Sequence, residues 1–122
     1  MATIRAYTTI EQSRKLAEIL PVESADMWYE DCVVIIPRLG KIPKEHSEKE
    51  LPCWSLAALL DIIPKRIKEC NILRIDIGEK DFSIWYDEMG YGVNNEFPDI
   101  TKESAVDACV EIIFKLHELK ML

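Results

Sequence analysis

Cys53 is the side chain best suited by type and position to covalent chemistry. It stands just ahead of the apolar segment Trp54 to Ile63, and a thiol at a helix N-terminus has its pKa lowered by the helix dipole. A cysteine nucleophile also needs a base. The two histidines are His46, shortly upstream, and His117, near the C-terminal end. No cysteine-enzyme signature surrounds Cys53. Its two readings are therefore a nucleophile paired with one of these histidines, or a small apolar neighbour of Trp54. Carboxylates occur together at Glu30-Asp31, at Asp87-Glu88 and at Glu96 with Asp99. General acid–base work needs one carboxylate in a dry pocket with a raised pKa, whereas these lie among polar and turn residues typical of a solvated surface.

Metal and cofactor signatures are missing. Cys32, Cys53, Cys70 and Cys109 are never closer than 17 positions, so no paired zinc-ligand spacing exists. The stretch Asp76 to Asp87 does not follow the calcium-loop pattern. Gly90-Tyr91-Gly92 lacks the further glycines, the lysine and the following helix of a phosphate loop, and suits a turn or bulge. We expect no metal and no cofactor. The amino terminus lacks an apolar export signal, so the cysteines are expected to be reduced thiols of a cytoplasmic protein.

The 122 residues carry 15 basic and 22 acidic side chains, a net charge of −7. Nucleic-acid binding draws on basic patches that neutralise phosphates, so direct nucleic-acid binding is not expected. The asymmetry is local. Between Asp76 and Glu111, ten acids face only Lys80 and Lys102, a charge of −8 that leaves +1 for the rest of the chain. Such a stretch either keeps the domain soluble or forms an acidic face for a basic partner. With 48% hydrophobic and 30% charged residues the composition is that of a folded domain. No run of 18 apolar residues provides a membrane span. The length fits a single globular domain over residues 1–122.

Several elements must position these groups. Thr8-Thr9-Ile10-Glu11 has the T-x-x-E form of a capping box and predicts a helix to about Leu20, stopped by Pro21. Ser24 can cap a short turn through Tyr29. Cys32 to Ile36 reads as a strand or a buried extended connection. Arg38 to Leu51 reads as a mobile surface loop. Pro52 opens a helix over Trp54 to Ile63 that is apolar on nearly every side, the mark of a buried central helix. On that basis Leu60→Ala should cost about 2–5 kcal/mol. Ile72 to Ile77 and Phe82 to Asp87 alternate in polarity around Gly78-Glu79-Lys80-Asp81, which predicts a hairpin. A third, irregular strand is expected through Tyr91 and Val93. Ser104 to Asp107 starts a last amphipathic helix. The expected fold is α+β: a small antiparallel sheet packed against about three helices.

Three stretches, SADM at Ser24 to Met27, PCWSLAALL at Pro52 to Leu60 and VDACVEIIFKLHEL at Val106 to Leu119, together with the capped first helix, resemble a family of small cytoplasmic proteins from gut anaerobes often encoded near mobile elements. The resemblance implies one compact domain and carries over no catalytic or binding residue.

These features point first to a non-catalytic interaction or adaptor protein that binds a basic protein partner. Its expected contact residues are Asp81, Asp87, Glu88 and Glu96, with Trp85 as apolar anchor. A small-ligand-binding domain, with a pocket between the buried helix and the sheet, is the alternative. A cysteine-dependent enzyme acting through Cys53 is the third reading.

Overall fold

Side-chain capping starts each of the three described α-helices. The computed structural model describes residues 5–31, 36–88 and 97–122. Helix α1 spans Ile10–Ala17 and is opened by Thr9, whose hydroxyl accepts from the Gln12 N–H while the Gln12 side chain accepts from the Thr9 N–H. The capping box thus lies one residue later than T-x-x-E suggested, with Gln12 in place of Glu11. Thr8, freed from capping, is buried. Helix α3, Ala105–Glu118, starts at Ser104 as expected, with the Ser104 hydroxyl accepting from the Asp107 N–H.

The chain forms two compact units, one of Ala6–Ile62 and one of Met1–Arg5 with Ile63–Leu122. In the first, a 3₁₀ turn at Val22–Ser24 leads into β1, Met27–Tyr29. The short turn expected through Tyr29 is therefore a strand from Met27 onward. It pairs antiparallel with β2 (Arg38–Leu39) and β3 (Leu51–Cys53), in the order β2-β1-β3. The segment expected to be a loop from Arg38 to Leu51 thus begins and ends in strands. Pro52 is accommodated because β3 is an edge strand, where a missing N–H breaks no interior ladder. Most of the Cys32 to Ile36 run lies outside the described residues; Ile36 itself is exposed.

Helix α2 is shorter than expected, Leu56–Ile62. Ser55 acts as its cap: the Ala58 N–H donates to the Ser55 hydroxyl at 3.2 Å and the Leu59 N–H to the Ser55 carbonyl at 3.0 Å. Of its residues only Leu59 is buried; Leu60 is half-buried, and Ala57 and Asp61 are exposed. The all-round apolar pattern overstated burial because Trp54, its largest member, belongs to the extended segment before the helix.

The second unit is a four-stranded antiparallel sheet in the order β4-β5-β6-β7, with β4 at Arg66–Ile67, β5 at Asn71–Ile77, β6 at Phe82–Glu88 and β7 at Ile100–Lys102. The β5–β6 hairpin has the register that the alternation demands: Leu73 faces Tyr86, Ile75 faces Ile84 and Ile77 faces Phe82. The Gly78 N–H donates to the Asp81 carbonyl at 2.9 Å. A Cβ at position 78 would come within 2.7 Å of Asp81 Oδ1 alone, the end of an exposed side chain that can swing aside. The third strand on β6 is Ile100–Lys102; Tyr91 and Val93 lie outside the described residues. Helix α3 packs on β6 and β7, burying Val106, Cys109, Val110, Ile112, Ile113 and Leu116 with Phe82, Ile84 and Tyr86. With three α-helices and two antiparallel sheets among the described residues, the fold is α+β.

Burial separates two adjacent leucines. Leu59→Ala should destabilise by about 2–5 kcal/mol, as for core truncations, and Leu60→Ala by about 1 kcal/mol, nearer a partly exposed site. Chemical denaturation of the two variants measures the difference, and equal losses would contradict this placement.

Candidate functional site

Cys53 lies in β3, not at a helix end, and is fully buried. Its surroundings are organised by Thr8. The Thr8 N–H donates to the Trp54 carbonyl at 2.9 Å, and the Trp54 N–H returns a bond to Thr8 Oγ1 at 3.1 Å. The Tyr29 hydroxyl donates to the Thr8 carbonyl at 2.7 Å, and Thr8 Oγ1 lies 2.7 Å from Ser13 Oγ. The Cys53 thiol joins this cluster by donating to the Thr8 carbonyl at 3.5 Å. Loss of water pushes the thiol pKa up, against the opposing pull of hydrogen bonds from Thr8, Tyr29 and Ser13. The position therefore holds Cys53 as a thiol. His46 is instead bound locally, its Nδ1–H donating to the Pro43 carbonyl at 2.8 Å.

The acidic stretch divides over the sheet. Trp85 and Asp87 point to the face of β6 opposite α3, together with Ile72, Arg74 and Asp76 of β5. Trp85 is half-buried and pairs across the strands with Arg74. Arg74 Nε donates to Asp87 Oδ2 at 3.4 Å. Glu88 alternates to the other face, Asp81 closes the turn, and Glu96 lies outside the described residues. Of the four described contact residues, Trp85 and Asp87 share one face of β6, Glu88 lies on the other and Asp81 lies at the turn. Two further acids are also paired within the unit: Asp107 with Arg5, and Glu111 with Lys102 at 3.2 Å.

The hairpin end gathers what remains. Asp76, Glu79 and Asp81 are exposed there, and so are Ile75 at 40% and Ile77 at 78%. Helix α3 packs on β6 and β7, which accounts for the exposure of the two isoleucines on β5. The outer edge of β5 is open as well. β4 reaches only to Ile72, and the Leu73 N–H donates to the Lys65 carbonyl at 2.9 Å. That bond fixes the parity of the strand, so the N–H and C=O groups of Ile75 and Ile77 point away from β6, along an edge that no described strand occupies.

Elsewhere, a cavity of about 410 Å³ opens between Val22-Glu23 and the segment Lys41 to His46. Lys41 to His46 were read from the sequence only as part of a loop. The signal that could have marked them is the gathering of Lys41 and Lys44 around Ile42 and Pro43, with His46 close by. Among the described residues no group of three or more His, Cys, Asp or Glu side chains could hold a metal ion, and no helix is long and apolar enough to cross a membrane.

Comparison with protein-family models, with curated proteins and with solved structures gives no match.

Burial sets the thiol and phenol chemistry. It raises Cys109 from 9.0 to about 12 and raises Tyr86 above its ordinary value of 10.0. The unfolded chain then releases these protons first, so stability present below pH 9 should decline as pH rises beyond it. Thermal melts across the alkaline range check this; a flat profile would contradict it. In native protein at neutral pH, exposed Cys70 should alkylate rapidly, and Cys53 and Cys109 only after unfolding. Peptide mapping of timed alkylation reads this order, and early modification of Cys53 would contradict its burial.

Proposed function

We propose that this chain is a non-catalytic interaction protein that takes up an extended, basic segment of a protein partner along the open edge of β5. The observation that carries the reading is this edge: the outward backbone groups of Ile75 and Ile77, unpaired among the described residues, their exposed side chains, and Asp76, Glu79 and Asp81 beside them. An exposed strand edge is a template for another strand. In strand addition the main chain supplies affinity and alternate side chains supply specificity. Here a partner with apolar residues at every second position would cover Ile75 and Ile77, and lysines or arginines at the others would meet the acids. Natural edges are commonly blunted by lysine, proline or a bulge; between Arg74 and Ile77 only Arg74 serves that purpose. This moves the binding surface from Trp85 to the strand edge, with Asp81 retained.

The buried, protonated state of Cys53 supports a structural role for that residue rather than a nucleophilic one. The ion pairs of Asp87, Asp107 and Glu111 leave the hairpin end as the acidic surface best able to attract cations.

A fluorescent peptide alternating valine and lysine should bind the full chain, and the valine–glutamate counterpart should not. Affinity should fall with added salt, because exposed charges are screened within about 8–10 Å. Ile75→Pro removes a donor aimed at the open edge while sparing the ladder to β6, so it should abolish anisotropy gain with the hairpin retained. Asp76→Lys with Glu79→Lys should weaken binding without a large change in melting temperature. Equal binding of both peptides, or undiminished binding by Ile75→Pro, would overturn the proposal.

A further inference from the structure

We infer that the cavity of the first unit binds a small organic monocarboxylate with a short apolar tail. The inference is independent of the sheet edge, since the cavity is built entirely from Ala6–Ile62. Its volume of about 410 Å³ falls in the range of small-molecule sites, about 300–1,000 Å³. The lining has the composition such sites require, an apolar floor with a few convergent polar groups.

The floor is Val22, Ile42 and Pro43. Ile42 is buried although Lys41, Pro43 and Lys44 around it are exposed, so the segment turns one apolar side chain inward. The polar groups are Lys41, Lys44, His46 and Glu23. Lys41 is anchored, its ammonium donating to the Glu23 backbone carbonyl. That bond ties the 41–46 segment to the 3₁₀ turn and keeps a cation at the mouth. Lys44 has no ion pair or hydrogen bond among the described residues, so its ammonium is available to a ligand. His46 spends its Nδ1–H on Pro43, which holds the ring and leaves Nε2 as its remaining polar atom.

The charges select the ligand. Among the lining residues, Lys41 and Lys44 against the Glu23 carboxylate give a surplus of one positive charge. One carboxylate balances it; an ammonium group would add to it, and a neutral alcohol could accept from Lys44 but would leave its charge unbalanced. The apolar floor demands a hydrocarbon body, so inorganic anions should gain little.

Hexanoate, hexanol and hexylamine test the reading at equal chain length. Titrated into ¹⁵N-labelled full-length protein, hexanoate should give saturable shifts confined to residues 22–23 and 41–46. Hexanol should bind about tenfold more weakly, a difference of about 1.4 kcal/mol, and hexylamine should not saturate. Lys44→Gln, at an exposed site that should tolerate change, should lose most hexanoate affinity, and the control Lys49→Gln should not. The inference is overturned if hexanoate shifts do not saturate or fall elsewhere, if hexanol or hexylamine binds as well, or if Lys44→Gln binds hexanoate unchanged. None of these outcomes bears on peptide binding at β5, so failure of either proposal is read separately.

Discussion

One helix about 10 Å across shields roughly two strands spaced 4.8 Å apart. The sheet of the second unit has four strands, and α3 lies over β6 and β7. That limit sets the character of everything on β5. Leu73, Ile75 and Ile77 repeat the inward pattern of Phe82, Ile84 and Tyr86, yet the far end of β5 is left in water. The two-residue β4 then closes only the beginning of the edge. An apolar strip and an edge that no described strand occupies therefore coincide at the hairpin end, next to its carboxylates.

The first unit is held by a different device. Thr8 uses its N–H, its carbonyl and its hydroxyl to bind Trp54, Tyr29, Cys53 and Ser13. A buried polar group is tolerable when each of its atoms is satisfied, and no described buried side-chain nitrogen or oxygen lacks a partner. The same cluster determines the chemistry of Cys53. A thiol on an apolar strand, bonded to a carbonyl and cut off from water, stays protonated. Asp26 completes the unit: it accepts from the N–H and hydroxyl of Ser55, and Ser55 in turn caps α2. Capping, strand pairing and burial in this half are thus coupled through side chains distant in sequence.

What local chemistry governs could be read from the sequence alone. The amphipathic spacing of α3 and its Ser104 cap, the alternation of Leu73 to Ile77 against Phe82 to Tyr86, and the turn at Gly78 are each settled within a few residues. They establish an antiparallel hairpin and a helix with one apolar face, and so the α+β class. The excess of acids between Asp76 and Glu111 is equally a property of the sequence. Tertiary structure decided the rest, because it depends on partners remote along the chain. Thr8 and Thr9 are equivalent as local caps; the contacts of Thr8 with Trp54 and Tyr29 assign one to the core and the other to α1. Met27–Tyr29 is too short to declare itself a strand until Leu51–Cys53 pairs with it. Pro52 reads as a helix start and becomes an edge residue. Which acids remain unpaired, which strand lies at an edge, and the inward turn of Ile42 that opens a cavity are all set by packing, which one-dimensional periodicity does not encode.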